Sequence, residues 1–128
     1  MIKVDCIDHL VLTVQDIEAT CSFYHRVLGL EIITFGGGRK ALRLGAQKIN
    51  LHQVGHEIAP HAHAPTPGSA DLCLIAHSAM EAILLHLNQC NVALIEGPVP
   101  RTGTLGEILS VYFQDPDGNL IEVSVYPD

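Results

Sequence analysis

Sliding this chain by 62 residues lays Ala70-Asp71-Leu72-Cys73-Leu74-Ile75-Ala76 on Asp8-His9-Leu10-Val11-Leu12-Thr13-Val14, and the apolar pattern survives the shift. Self-similarity at a fixed spacing means one supersecondary unit built twice, which leaves few folds open. In the first copy, Ile7 to Val14 alternate as a strand does, with Leu10, Leu12 and Val14 on one face and His9, Val11 and Thr13 on the other. Asp16 then stands where a helix N-cap belongs. Ile17, Thr20, Cys21, Tyr24, Val27 and Leu28 recur at steps of three and four until Gly29 ends the helix. Three strand-like runs follow, Glu31 to Phe35, Lys40 to Leu44 and Lys48 to Val54, separated by the turn residues Gly36-Gly37-Gly38 and Gly45-Ala46.

The second copy repeats that order. Ser78 sits where Asp16 caps the first helix, and Met80, Ile83, Leu84 and Leu87 form the apolar stripe of a second helix. Asn91 takes Gly29's place. Strands are predicted at Ala93 to Gly97, Glu107 to Gln114 and Leu120 to Val125, the last two joined by the turn Asp115-Pro116-Asp117-Gly118. The fold class is therefore α+β: two βαβββ modules, 1–54 and 69–128, forming a curved-sheet trough within one compact domain. Residues 55–68 form the linker. Its prolines, Pro60, Pro65 and Pro67, hold it extended and out of any sheet interior. It is a surface connection, or else a lid closing His61 or His63 over a site.

A chain of 128 residues with a net charge of −7 can bury an adequate core without disulfides. Its acidity makes nucleic acid and anionic membranes poor partners. No run approaches the roughly 20 apolar residues of a membrane span, and Lys3, Asp5 and Asp8 interrupt the segment where a signal peptide would be apolar. The expected location is the cytoplasm. Cys6, Cys21, Cys73 and Cys90 form no CxxC pair and are expected as reduced, small core hydrophobes.

If corresponding positions point inward in both modules, the repeat selects His9 and Asp71 from the first strands and Asn50 and Glu122 from the last. His52 shares Asn50's face. Each interrupts an otherwise apolar strand, where an unpaired polar group costs about 1–3 kcal/mol. Hydrogen bonds among themselves would offset that cost, and so would a divalent metal on imidazole nitrogen and carboxylate oxygen.

Here the sequence resembles the vicinal oxygen chelate superfamily. The carriers are Ile7-Asp8-His9-Leu10-Val11-Leu12-Thr13-Val14, Phe23-Tyr24, Val27-Leu28-Gly29-Leu30 and Val111-Tyr112-Phe113-Gln114-Asp115-Pro116-Asp117-Gly118-Asn119-Leu120-Ile121-Glu122. More narrowly, Asn50-Leu51-His52-Gln53, Pro67-Gly68-Ser69-Ala70-Asp71-Leu72-Cys73 and Gly97-Pro98-Val99-Pro100-Arg101-Thr102-Gly103 resemble lactoylglutathione-lyase-like, virulence-associated glyoxalase-domain proteins. The resemblance implies glyoxalase I-like isomerisation of a methylglyoxal–thiol hemithioacetal, by proton transfer through a metal-stabilised enediolate. It implies a divalent metal, with Ni or Zn foremost and Fe, Mn or Co as alternatives. Glu122 is implied as both ligand and catalytic base.

Glyoxalase I places a glutamate on the last strand of both modules, whereas the first module here has Asn50, with His52 next on the same face. Three ligand sets stay open: His9, His52, Asp71 and Glu122 together; His9 and Glu122 with water; or no metal. Arg101, in a loop rich in Pro and Gly, is the candidate clamp for an anionic substrate such as a glutathione conjugate, with Asn50 as a second substrate contact. Gly103, Thr104 and Leu105 stand where an extradiol dioxygenase would carry a histidine, which disfavours ring cleavage. A fosfomycin-type thiol transferase and a metal-free small-molecule or drug-binding module are the alternatives. The resemblance also implies a homodimer.

Overall fold

The computed structural model describes residues 1–127, so Asp128, the end of the expected second module, lies outside the described residues. The chain divides into two compact units, one from Met1 to Pro67 and one beginning at Gly68. Each repeats the same order of elements.

The first unit contains β1 (His9–Val14), α1 (Ile17–Leu28), β2 (Glu31–Phe35), β3 (Arg39–Leu44) and β4 (Gln47–Gln53). Its sheet runs β1-β4-β3-β2, with β1 parallel to β4 and the other pairs antiparallel. Asp16 caps α1 through a hydrogen bond from the Ala19 N–H, and Gly29 ends it at φ 68°. α1 packs on β2, β3 and β4. Its Cys21, Tyr24 and Val27 are buried, as are Leu12, Val14, Leu42, Ile49 and Leu51 of the strands. The apolar half of each alternation thus forms the core, and the polar half lies on the opposite face.

The second unit contains β5 (Asp71–Ile75), α2 (Met80–Gln89), β6 (Glu96–Gly103), β7 (Gly106–Gln114) and β8 (Leu120–Val125), in the sheet order β5-β8-β7-β6. Val111, Phe113, Ile121, Val123, Met80 and Leu87 form its buried apolar set. The α+β class and the doubled βαβββ order are as the sequence implies. The turn into β8 is held by a buried pair. Asp115 accepts from the N–H groups of Asp117 and Asn119 and from Asn119 Nδ2, while Asn119 Oδ1 accepts from the Ala70 N–H at 2.9 Å.

Three expectations need correction. The strand expected at Ala93 to Gly97 is instead Glu96–Gly103, so Arg101 lies on a strand and not in a loop. Pro98 and Pro100 are tolerated because β6 is an edge strand, where half of the backbone has no ladder to join. The register shifts between Glu96 and Val99, and Gly97 sits there at φ 109°, where a Cβ would collide with the Ser110 carbonyl oxygen. Secondly, α2 is capped by Ala79 and not by Ser78, with no side-chain cap hydrogen bond. Ala79→Asp should supply the missing acceptor and stabilise the protein by about 1 kcal/mol. At this chain length that is a rise of about 4 °C in Tm by calorimetry. Thirdly, all four cysteines are free, but only Cys21 is in the core. Strand alternation turns Cys73 to the face opposite the apolar set.

Candidate functional site

Strand pairing arranges the open face of each sheet in rows. In the first unit, Val11, Asn50, Ala41 and Ile33 form one row, and His9, Lys48, Arg43 and Glu31 form the next. On the other side Thr13 pairs with His52, whose Nε2 lies 3.4 Å from Arg39 Nη2. In the second unit, Cys73, Glu122, Tyr112 and Glu96 form the row that matches Asn50's, and Ile75, Ser124, Ser110 and Val99 match that of His52. Asn50 and Glu122 therefore occupy the same place in their modules. His9 and Asp71 correspond as well, each two residues before the strand partner of that position.

Glu122 is held by hydroxyls. Ser110 Oγ donates to Glu122 Oε2 at 2.6 Å and lies 2.6 Å from Ser124 Oγ. Ser110 has one proton, given to the carboxylate, so the single Ser124 proton is shared between Ser110 Oγ and Glu122 Oε2, which lies 3.3 Å away. Cys73 Sγ, 3.3 Å from Ser124 Oγ, then begins a chain that ends on Glu122. Burial raises the Cys73 thiol's pKa, with the Glu122 and Asp71 carboxylates adding to the effect, while its Ser124 hydrogen bond opposes them. The thiol therefore keeps the proton this chain needs. The bonds from Ser110 and Ser124 fall on Oε2, and the Tyr112 hydroxyl and the Cys73 thiol also hydrogen-bond this carboxylate.

His9 is exposed, and its Nδ1 lies 2.7 Å from Asp8 Oδ1. That carboxylate orients the ring and leaves Nε2 outward. His52 is different: it is 4% exposed and faces a guanidinium. Arg39 can only donate, so Nε2 accepts and Nδ1 carries the proton. Burial, followed by the charges of Arg39 and His61, lowers the His52 pKa. The folded state thus binds this proton less well than the unfolded chain, whose histidines titrate near 6.5. The stability that His52 contributes is complete above that pH and is lost as pH falls below it. Wild-type Tm should decline below about pH 6.5, and His52→Gln should show a shallower decline.

A family model for the glyoxalase/bleomycin resistance protein/dioxygenase superfamily matches residues 6–123. The chain belongs to that superfamily. It is 55% identical over 123 residues to virulence protein STM3117 of Salmonella typhimurium, covering 96% of this chain and 85% of that protein. It is 50% identical over 127 residues to the glyoxalase domain-containing protein RDO1 of Mycosarcoma maydis, covering 99% of this chain and 72% of that one. An integron cassette protein of V. cholerae has the same structure, with a TM-score of 0.97 at 52% identity and 99% of both chains covered.

Members of this superfamily commonly bind a divalent metal, and the donor sets here can be compared with that requirement. His9 Nε2 and the Glu122 carboxylate each offer lone pairs in a fixed orientation, as a ligand needs. His9 and His52 lie four residues apart along the sheet, about 13 Å, so the first module does not bring them together. Among the described residues, no three His, Cys, Asp or Glu side chains converge as a ready metal cluster. Asp71 is exposed and diagonal to Glu122, about 7–8 Å away by strand geometry. Arg101 is engaged already, donating to Glu96 Oε1 at 3.0 Å and to the Tyr112 hydroxyl at 3.0 Å. A cavity of about 450 Å³ lies at the far ends of β5 and β8, lined by Ile75 to Ala79 and Val125 to Pro127, and it includes none of the expected ligands.

The sequence missed Ser110, Ser124 and Arg39 as parts of these clusters. Counting alternate residues back from Gln114 puts Tyr112 and Ser110 on one face of β7. Nothing local showed that Glu122 would lie in their rows.

Proposed function

We propose that this chain is a metal-dependent enzyme that isomerises a hemithioacetal by moving a proton between adjacent carbons, as in glyoxalase I. The observation that carries the reading is the 2.6 Å bond from Ser110 to Glu122 Oε2, which steadies the carboxylate on the open face of its sheet. A base of this kind must sit within hydrogen-bond reach of the proton it abstracts, and a braced carboxylate holds its geometry between turnovers. Glu122 takes the proton and returns it to the neighbouring carbon. His9 Nε2 is the proposed metal donor of the first module and Glu122 that of the second, with Asp71 as a further carboxylate there and His52 left to hold Arg39. When bound, a divalent metal such as Ni or Zn would polarise the substrate carbonyl and make the adjacent C–H more acidic. Asn50 stands at the place of a second glutamate as a neutral substrate contact. We further propose a cytoplasmic homodimer. No helix among the described residues is long and apolar enough to cross a membrane.

The test is elemental analysis of chelator-treated and reloaded protein, with a hemithioacetal isomerisation assay on the Ni- and Zn-loaded samples. Near one metal per chain with isomerisation is the expected result. Metal without isomerisation would overturn the reaction and keep the metal reading. No metal at all would overturn both and leave a binding module.

A further inference from the structure

The chain carries seven Lys and Arg against fourteen Asp and Glu, yet Arg39, Lys40, Arg43 and Lys48 fall within ten residues. Register turns three of the four to one face. Arg43 and Lys48 pair across β3 and β4 in the His9 row, Arg39 stands against His52, and Lys40 points the other way and donates to Thr34. Among the described residues, none of the three has an ion pair. Arg39 and Lys48 lie instead over the Phe35 ring, 4.9 and 3.8 Å from its centroid. Glu31 stands across from Arg43 on this face, yet among the described residues no carboxylate closes an ion pair with these three cations.

The second observation is independent of charge. Arg39 Nε, His52 Nδ1 and Asn50 Oδ1 are buried and have no hydrogen-bond partner. Such atoms cost about 1–3 kcal/mol each, and native chains rarely keep several together without use for them. Asn50 is 5% exposed and His52 4%. The donors are an N–H on a guanidinium and an N–H on an imidazole, and the acceptor is an amide oxygen in the adjacent row. A cavity of about 260 Å³ lies at the opposite end of the face, beside Arg43 and Lys48 at the β3–β4 turn, and Arg39, His52 and Asn50 do not line it.

We infer that the open face of the first sheet binds a small hydroxycarboxylate group, its carboxylate on the Nε–Nη2 edge of Arg39 and its hydroxyl donating to Asn50 Oδ1. A planar guanidinium edge suits a carboxylate, and the free amide oxygen demands a hydroxyl rather than a second anion. His52 is a positioning residue: through Nε2 it holds the guanidinium in place. Arg43 and Lys48 add attraction at longer range. The inference narrows the substrate class of the proposed enzyme, but it rests on the first module alone.

The test is binding to the full-length, metal-free protein at constant ionic strength. The probes are glycolate, acetate, which lacks the hydroxyl, and glycolamide, which lacks the charge. Glycolate should move the Arg39 Nε–H resonance and bind about tenfold more tightly than acetate, with glycolamide weaker still. Arg39→Gln should weaken glycolate and acetate alike by tenfold or more. Asn50→Ala should bring glycolate down to acetate, and Lys40→Gln should change neither. Equal binding of all three probes, or an unmoved Arg39 resonance in the wild type, would overturn the inference, and the latter needs no variant to fold. Because the metal-free protein is used, failure of the isomerase reading leaves this result standing, and the reverse also holds.

Discussion

Glu122→Gln should lower kcat/KM for hemithioacetal isomerisation by about 10³-fold, within the range for loss of a general base. Gln retains the shape and an oxygen able to accept from Ser110, so the sheet should fold as before. Only the basic, anionic oxygen is lost. Ser110→Ala should cost less, about 10–100-fold, since it frees the carboxylate to swing without removing it. Kinetics on both variants, with circular dichroism and metal content beside them, tests the pair. A Glu122→Gln enzyme within tenfold of wild type would rule out Glu122 as the base. A Ser110→Ala protein with unchanged kinetics would reduce the 2.6 Å bond to a packing detail.

Asn119→Ala should be the most destabilising of the changes considered, by about 3–5 kcal/mol. It removes a hydrogen bond to the buried Asp115 carboxylate and the acceptor of the half-buried Ala70 N–H, each a loss of about 1–3 kcal/mol, and it removes a packed side chain. The side chain is 1% exposed, so water cannot replace it in place. Denaturant unfolding should show the loss in the midpoint with m unchanged. A change under 1 kcal/mol would mean that the turn is held by its backbone alone.

Much of this was legible because strand alternation and repetition are local signals. The 62-residue shift placed Val11 on Cys73, and the sheets pair Val11 with Asn50 and Cys73 with Glu122. Helix α1 was legible at both ends because Asp16 and Gly29 act through their own backbone neighbourhood. β6 was hidden by its prolines. They argue against a strand unless it lies at a sheet edge, and edge position is a property of the assembled sheet. The partners of Glu122 and His52 were hidden for a related reason. Ser110 is twelve residues before Glu122 and Arg39 is thirteen before His52, and only the register across strands determines which side chains meet.

The two modules share a backbone register but not a charge. One places Asn50 among cations, and the other places Glu122 among hydroxyls and a thiol. Each half therefore serves as an internal control for the other: β1, β4 and β3 pair in the register of β5, β8 and β7, while polarity is reversed. Solutes should divide along the same line. Anions and acid should be felt first by β3 and β4, and added divalent cations by β8, β5 and the His9 end of β1. Residue-resolved hydrogen exchange would then show the strands of one duplicated fold answering opposite ions.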